Sequence, residues 1–359
     1  MISPTEPVLI TRTPVRITFF GGGTDYPEYY LEHGGKTIGA SINKYSYVVL
    51  RKLADIDPIR YRLIYAKSEL CNEIGEIEQP VIRECLNETG HTEPTEIHYF
   101  ADLPSFSGLG TSSSFAVGLL NGLFTKNGLR LSKQELAERA FRVERERLNE
   151  IVGVQDQFTC SFGGMVRLDM DGDGVRRSEV SISPERRAEL DDRLLMFFTG
   201  RTRYAHGVLG EQIEKTKNGS INASLKDLAS LVDEGTSVLA GRGDLNEFGR
   251  LLDQAWQIKR GLSSAVSNER IDEIYQAARS AGATGGKLMG AGTGGFFLFY
   301  VPPHSRQRVL EAINPLKHVP FSFEDTGTTL MHLVPGDEDE VSVPSTELRR
   351  VKAVSQPAR

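Results

Sequence analysis

The sequence predicts a two-domain protein that combines helices with strands. Its length of 359 residues exceeds that of a typical single domain. The first half alternates β-prone stretches with helical ones, and the character changes at Leu194, where an apolar strand is followed by a helix-rich half. We therefore place the domain boundary near 190–200. The predicted parts are a first domain over 1–195, a second domain over 196–337 and a polar tail over 338–359, which we expect to be loosely held.

Composition argues against several classes of protein. Hydrophobic residues make up 39% of the chain and charged residues 25%, which is ordinary for a globular protein. The net charge of -6 argues against a general nucleic-acid binder, which is normally basic. No apolar run approaches the roughly 20 residues needed to span a bilayer, and the N-terminus lacks a signal pattern. We expect a cytoplasmic monomer or homodimer without nucleic-acid or membrane partners.

Cysteines and histidines give no sign of a metal site. Cys71, Cys85 and Cys160 lack the spacing of metal ligands, and we expect them to be small buried residues, since a reducing compartment disfavours disulfides. The seven histidines include no H-x-x-x-H pair, so no zinc site is supported.

The first predicted strand, Val8–Phe20, runs into a glycine-rich turn. Three consecutive glycines let the backbone turn sharply and approach a ligand closely. A plain hairpin turn is the alternative, but Asp25 adds a carboxylate where no neighbouring side chain blocks access. The turn consists of Gly21, Gly22, Gly23, Thr24 and Asp25.

Shorter elements follow this turn. The pattern predicts a β-hairpin over 37–53 and a strand over 61–66. One or two helices are predicted over 70–86, with Pro80 at a helix start, where its missing N–H costs no hydrogen bond.

A loop of small residues lies between a predicted strand over 95–101 and an apolar run with helical spacing that begins at Phe115. The first turn of a helix has free backbone N–H groups and a positive dipole end, so this arrangement can hold a phosphate. Hydroxyl groups can donate to phosphate oxygens or bind Mg²⁺. A serine-rich helix cap is the alternative. No Gly-x4-Gly-Lys-Ser/Thr occurs, so this is not a Walker loop.

A second predicted helix carries a carboxylate on its apolar face. Ser132 and Glu135 have the form of a capping box, and the helix is expected to run to about Leu148. Glu144 falls in the apolar row with Ala137 at helical spacing. Burying a lone charge is expensive, so this carboxylate needs a partner. A salt bridge at the helix edge is one possibility, and Mg²⁺ is the one we favour.

An acidic segment between predicted strands at 165–168 and 175–181 resembles the start of a calcium-binding loop. The twelfth position, however, is Val180, where that loop requires a glutamate. We therefore predict a simple acidic hairpin turn.

The second half contains predicted helices and a third glycine-rich stretch. The helices are expected at 206–216, 222–240, 244–260 and 268–280. Residues 287–295 contain four glycines and lead into the β-prone run 296–300. A dinucleotide-binding loop would need a helix after it, so that alternative is rejected.

The three glycine-rich stretches together resemble the motifs of the GHMP kinases. Residues 104–114 are similar to the second motif, 16–26 to the first and 287–295 to the third, in the family order. Galactokinases have a Glu-His pair where this chain has glycines. The Gly-Gly-Gly-Thr-Asp turn resembles that of the D-glycero-D-manno-heptose 7-phosphate kinase branch, with fucokinase domains nearby.

This resemblance implies a fold and a set of site residues. The fold would be α+β, with an N-terminal domain like the second domain of ribosomal protein S5, a ferredoxin-like C-terminal domain and ATP between them. Asp156, within a Gly-x-x-Asp-Gln segment, would be the catalytic base, assisted by Arg16, while Ser112 and Glu144 would bind Mg²⁺. The implied ATP-binding residues are Ser107, Gly108, Leu109, Gly110, Thr111, Ser112, Ser113 and Ser114. The implied substrate-binding residues are Gly22, Gly23, Thr24, Asp25, Gly292 and Gly294.

The implied reaction is transfer of a phosphoryl group from ATP to the anomeric hydroxyl of heptose 7-phosphate. Galactose, fucose and mevalonate remain competing acceptors, and a non-catalytic sugar- and ATP-binding regulator remains a second class. Arg201 and Arg203 follow a predicted strand and are either surface charges or a hold on the sugar phosphate.

Overall fold

The computed structural model describes residues 8–54, 56–200, 206–241, 243–292 and 294–333. Arg201, Arg203 and the predicted tail over 338–359 lie outside these ranges. The strands are β1 Val8–Phe20, β2 Gly35–Lys52, β3 Tyr61–Ile64, β4 Ser68–Cys71, β5 Thr95–Ala101, β6 Met165–Asp171, β7 Gly174–Glu179, β8 Leu194–Phe198, β9 Gly285–Leu288, β10 Phe296–Tyr300, β11 Lys317–His318 and β12 Thr329–Leu333. The α-helices are α1 Pro27–His33, α2 Pro80–Thr89, α3 Thr111–Lys126, α4 Lys133–Arg142, α5 Gln155–Phe162, α6 Pro184–Arg193, α7 His206–Lys217, α8 Asn222–Leu239, α9 Asn246–Leu262, α10 Glu269–Ser280 and α11 Arg306–Ala312.

The larger sheet has the strand order β12-β1-β2-β5-β3-β4, and β6 and β7 join it through β2. The 18-residue strand β2 pairs with β1 along its length, with β6 near its start and with β5 near its end. The predicted hairpin over 37–53 is therefore wrong. Asn43 and Lys44 form a bulge opposite Pro14 and Val15, which absorbs the extra residues without reversing the chain.

Several predicted elements of the first half are confirmed. Helix α2 begins at Pro80, although the residues before it form β4 and a 3-10 turn over Ile74–Glu76 rather than a helix. Helix α4 has the predicted capping box at Ser132, and a π-helical segment, Val143–Arg147, continues it. The acidic segment is the turn of the β6–β7 hairpin.

Among the described residues, no group of three or more His, Cys, Asp or Glu side chains could hold a metal ion.

The smaller sheet has the antiparallel order β11-β8-β10-β9, and α7 to α10 follow its first strand. This β-α-β-β-α-β arrangement is typical of ferredoxin-like domains. The four helices predicted in this half are confirmed within about two residues at each end, which is the ordinary uncertainty of helix boundaries. None of the helices in the described ranges is long and apolar enough to cross a membrane.

One hydrophobic core joins the two sheets. It contains Phe19 and Phe20 of β1, Phe248 of α9 and Tyr300 of β10. The chain also returns to the larger sheet at its end, where β12 pairs with β1. Cys71, Cys85 and Cys160 are free and buried, as predicted. The exact domain limits remain a prediction.

Candidate active site

A cavity of about 260 Å³ lies between the two halves of the molecule. Its walls come from the turn after β1, the loop before α3, the π-helical segment, the start of α5, the end of α9 and the loop after β9. The three glycine-rich stretches of the sequence therefore meet at one place. The predicted site residues that line it are Arg16, Gly22, Gly23, Asp25, Gly108, Gly110, Thr111, Ser112, Ser113, Glu144, Asp156, Gly292 and Gly294.

The loop before α3 and the loop after β9 touch each other directly. A side chain on Gly290 would place its Cβ 2.5 Å from the Cα of Gly108, which no real contact allows. Both glycines also have positive φ angles, 71° and 82°. Close approach and backbone conformation together explain why glycine occupies both positions. The open N-terminus of the 16-residue helix α3 faces the cavity beside this contact.

Arg16 and Asp156 form a two-pronged ion pair at the cavity. Arg16 Nε donates to Asp156 Oδ1 and Nη2 donates to Oδ2, each at 2.7 Å. Arg16 Nη1 donates to the carbonyl of Gly108, also at 2.7 Å. The guanidinium is nearly buried, whereas the Asp156 side chain keeps 22% of its surface exposed. The arginine therefore fixes the orientation of a carboxylate that remains accessible from the cavity.

Glu144 is a buried carboxylate on the π-helical segment, a type of distortion that is frequent at functional sites. Ser112 Oγ donates to its Oε1 at 2.7 Å, and Gln157 Nε2 donates to its Oε2 at 2.6 Å. Burial raises the pKa of Glu144, although the hydroxyl and amide donors oppose the rise. No basic side chain of the described residues pairs with it, so the salt-bridge alternative fails within this part of the chain.

Asp25 occupies the turn after β1 and is also buried. Its Oδ1 accepts a hydrogen bond from the Gly23 N–H at 3.0 Å. Burial is the main cause that raises the pKa of Asp25 to about 6, and the charge of Asp156 adds to it. A Cβ on Gly153 would lie 2.1 Å from Asp25 Oδ2, so only glycine fits against this carboxylate.

Two family models match the chain. The model of the GHMP kinases N terminal domain matches residues 76–164, which include the loop before α3, Glu144 and Asp156, and the model of the GHMP kinases C terminal matches residues 236–316. The chain belongs to the GHMP kinases. It is therefore an ATP-dependent kinase, and the predicted two-domain α+β fold of this family is confirmed.

Several known kinases are similar over most of the chain. A D-glycero-alpha-D-manno-heptose 7-phosphate kinase of Campylobacter jejuni is 29% identical over 84% of this chain and 92% of its own length. A bifunctional fucokinase/GDP-fucose pyrophosphorylase of Arabidopsis thaliana is 28% identical over 79% of this chain but only 29% of its own length. A solved D-glycero-D-manno-heptose 1-phosphate kinase of Bacteroides thetaiotaomicron has a TM-score of 0.74 and 23% identity, covering 90% of this chain and 98% of its own.

Four predicted site residues of this GHMP kinase do not line the cavity. Thr24 Oγ1 donates to backbone carbonyls of the turn and of Lys36, so it stabilises the turn rather than facing the cavity. Ser114 Oγ donates to the carbonyl of Thr13 at 2.9 Å. Ser107 and the Leu109 side chain are fully buried. A backbone contact of Ser107, Leu109 or Ser114 to nucleotide stays a prediction, as does a contact of Thr24 to substrate.

The sequence interpretation missed two lysines of the cavity. Lys287 lies in the buried strand β9, and its Nζ donates to the carbonyl of Phe19 at 2.9 Å. Lys259, near the end of α9, donates to the carbonyls of Leu288 and Gly290. A signal for Lys259 was available, because it follows Ala255 and Trp256 at helical spacing on the apolar face. Lys287 gives a comparable signal, because a lysine stands in a short stretch of glycine and apolar residues that forms a buried strand.

Proposed function

We propose that this GHMP kinase phosphorylates the anomeric hydroxyl of D-glycero-D-manno-heptose 7-phosphate and gives the 1,7-bisphosphate, on the way to nucleotide-activated heptose for surface polysaccharide. The Arg16–Asp156 pair beside the helix N-terminus carries the proposal of a kinase site in this cavity. The similarity to the Campylobacter jejuni heptose 7-phosphate kinase supports the acceptor. A cytoplasmic location remains part of this proposal.

We assign the ATP phosphates to the N-terminus of α3. Its first backbone N–H groups have no partner within the helix, and its dipole favours negative charge. Thr111, Ser112 and Ser113 line the cavity there and can add hydroxyl donors. This arrangement suits a phosphate without the lysine of a Walker loop.

Ser112 and Glu144 are the residues that would hold Mg²⁺. They offer oxygen atoms that already lie within hydrogen-bonding distance of each other, and the nearby Gln157 Oε1 is buried with no partner among the described residues. Mg²⁺ is commonly bound by one or two protein carboxylates together with substrate phosphates and water. A site with only two protein ligands is therefore typical of this ion. When bound, the ion neutralises charge on the phosphoryl group.

Asp156 is the group that we assign to the acceptor hydroxyl. A sugar hydroxyl needs a carboxylate that removes its proton or orients it for attack on phosphorus. Arg16 holds both oxygens of Asp156, so little reorientation is needed when the acceptor binds, and its charge can stabilise the developing negative charge. Asp25, with Gly22 and Gly23, forms the wall that we assign to the sugar hydroxyls.

The direct test is coupled ADP release with Mg-ATP and a panel of acceptors: D-glycero-D-manno-heptose 7-phosphate, galactose, fucose, mannose, N-acetylgalactosamine and mevalonate. We expect selective turnover of the heptose phosphate. Turnover of a free sugar alone would overturn the acceptor and favour a fucose or galactose 1-kinase. No turnover with intact ATP binding would favour the non-catalytic regulator.

The Asp156→Asn variant tests the catalytic assignment. We expect kcat to fall by about 10²- to 10⁴-fold, because general-base catalysis typically contributes that much. The Kd for ATP, measured by calorimetry, should stay near that of the wild type. Asp173→Asn, in the exposed turn of the β6–β7 hairpin, is the matched control. Equal kcat values for Asp156→Asn and the wild type would overturn the assignment.

A further inference from the structure

Two cationic side chains that the proposed mechanism leaves unused line the cavity. Lys287 is buried, with 5% of its surface exposed, and Lys259 is partly buried beside it. We propose that Lys259 and Lys287 together bind a phosphoryl group, either the phosphate of the acceptor or the terminal phosphate of ATP. This inference rests on the proposed function and names the part of the site that would recognise the phosphate.

The hydrogen bonds of the two lysines leave donors available. An ammonium group has three N–H donors. Lys287 has one protein acceptor, the Phe19 carbonyl, and Lys259 has two, the carbonyls of Leu288 and Gly290. Lys287 therefore retains two donors and Lys259 one, and both side chains border the cavity. The carbonyls hold the ammonium groups in place, so a ligand meets donors that are already ordered.

Neither lysine has an anionic partner within ion-pair distance among the described residues. All of the acceptors above are neutral carbonyls, and no Asp or Glu of the described ranges forms a salt bridge with Lys259 or Lys287. Placing cations out of water without a nearby counter-charge is unfavourable. Burial lowers the pKa of Lys259 to about 8 and that of Lys287 well below its usual value. Repulsion from Lys259 adds to the shift of Lys287 and repulsion from Arg16 adds to both, while the charge of Asp25 only partly offsets them. An anionic ligand would supply the missing charge.

The positions of the two lysines point to a phosphate. The Phe19 carbonyl, which holds Lys287, lies just before the turn that carries Asp25. The Gly290 carbonyl, which holds Lys259, belongs to the loop that touches Gly108. The lysines thus connect the proposed acceptor wall with the proposed phosphate loop. With the assignments proposed above, the acceptor and ATP could each present a phosphoryl group to this region, and experiment can distinguish them.

The test uses Lys259→Met and Lys287→Met, which keep side-chain length but remove the charge. Lys226→Met, on the exposed face of α8, is the control. Calorimetry measures Kd for heptose 7-phosphate, free heptose, ATP and ADP. Loss of a charge-assisted hydrogen bond should raise the Kd of the phosphate-bearing ligand by about tenfold or more.

The pattern of Kd values identifies the source of the phosphate. If the acceptor phosphate binds here, the Kd for heptose 7-phosphate rises, whereas the Kd values for free heptose and ATP do not change. If the terminal phosphate of ATP binds here, the Kd for ATP rises more than that for ADP.

Two outcomes separate this inference from the proposed function. Unchanged Kd values for both heptose 7-phosphate and ATP, in an enzyme that turns over the heptose phosphate, would overturn the lysine site and leave the function intact. If only a free sugar is turned over, the proposed acceptor fails, and the comparison of ATP with ADP still decides the lysine site.

The unmutated enzyme provides an independent measurement in case a variant does not fold. NMR titration of ¹³C-labelled lysines gives the pKa of each ammonium group with and without heptose 7-phosphate or a non-hydrolysable ATP analogue. A phosphate bound at this site should raise the pKa of Lys259 and Lys287, because a nearby anion stabilises the charged form. The absence of any change with both ligands would contradict the proposal.

Discussion

Three carboxylates of the cavity that the proposed function uses differ in what stabilises them. Asp156 is held by the guanidinium of Arg16, Glu144 by a hydroxyl and an amide, and Asp25 by a backbone N–H. Burial raises the pKa of Glu144 and of Asp25, whereas the cation beside Asp156 fixes the orientation of both its oxygens. The environments therefore match three different proposed tasks: contact with the reacting hydroxyl, metal binding and sugar binding.

Asp25 gives a prediction about stability and pH. Its pKa is about 6 in the folded protein against 3.8 ordinarily, so the unfolded chain loses the proton first as pH rises. The contribution of Asp25 to stability is full below about pH 4 and is lost as pH rises through 6, by about 3 kcal/mol. We expect Asp25→Asn to gain stability relative to the wild type over this range, as measured by urea unfolding at a series of pH values.

Asp171→Asn is the control with the opposite sign. Hydrogen bonds from Arg176 and the Asp173 N–H lower the pKa of Asp171, so its contribution is present above the ordinary pKa and is lost as pH falls. The variant should therefore lose stability, relative to the wild type, as pH rises. The prediction for Asp25 would be contradicted if the stability difference between Asp25→Asn and the wild type did not vary with pH.

At single positions, the useful sequence signal is a residue that conflicts with its local pattern. Glu144 was selected because a carboxylate stands in an apolar row, and Asp156 through the resemblance of its segment; both line the cavity, and their roles remain predictions. Lys259 conflicts with its apolar row in the same way but was not recognised. The resemblance implied ligand roles for Thr24 and Ser114. Their hydroxyls contact backbone carbonyls instead, and two of these, of Lys36 and Thr13, are distant in the sequence and not indicated by any local pattern.

At the scale of elements, the π-helical segment is held by a buried carboxylate from a neighbouring helix. Glu88 of α2 accepts hydrogen bonds from Arg139 at 2.8 Å, from Arg147 at 2.9 Å and from Arg142. Its side chain is fully buried, whereas the three arginines are each about two-fifths exposed. These arginines lie on both sides of Glu144 along the chain. Glu88 thus positions the segment that presents the proposed metal ligand.

We expect Glu88→Gln to weaken both the fold and the metal site. Removing one partner of a buried ion pair typically costs 3–5 kcal/mol, and the exposure of the arginines reduces this to about 2 kcal/mol. The Mg²⁺ concentration that gives half-maximal activity should rise about tenfold, as is typical when a residue supporting a metal ligand is changed. Urea unfolding and Mg²⁺ titration of the activity measure the two effects.

Glu138→Gln, on the exposed face of α4, should change neither quantity. A loss of stability in Glu88→Gln without any change in Mg²⁺ dependence would limit Glu88 to a structural role. Recovery of the wild-type kcat by Glu88→Gln at high Mg²⁺ would support a role of Glu88 in positioning the metal ligand, since the reacting groups themselves are unchanged.

Element prediction failed where the decisive contacts are not local. The stretch 37–53 was predicted as a hairpin, yet it forms the single strand β2, whose bulge at Asn43 and Lys44 comes from its pairing with β1. The helices of the second half were predicted within about two residues because helical spacing is a property of the segment itself. The π-helical segment is flanked by contacts to Glu88, which is distant in the sequence, so no pattern within residues 143–147 predicts the distortion.

On the scale of the whole molecule, the two sheets share one core. The ring of Phe248 lies 5.1 Å from the rings of both Phe19 and Phe20 and 6.4 Å from that of Tyr300. A helix of the second half therefore packs on β1 and β10 at once. Interfaces between domains permit independent motion by default, but a large apolar interface couples them. This coupling would keep the cavity walls, which come from both halves, in fixed relation.

We therefore expect the two halves to unfold together. The single tryptophan, Trp256, packs against Tyr275 and Phe297 beside the smaller sheet, so its fluorescence reports that half, while far-UV circular dichroism reports both. The two signals should change at the same urea concentration. Phe248→Ala should shift both midpoints together, with a loss of about 3–5 kcal/mol. Phe100→Ala, at an exposed position of β5, should shift neither midpoint appreciably.

A different result would show that the shared core does not couple the halves. In that case Phe248→Ala would shift the fluorescence transition and leave a second dichroism transition at its wild-type position. The walls of the cavity would then be free to separate between catalytic cycles, and ligand binding would have to bring them together.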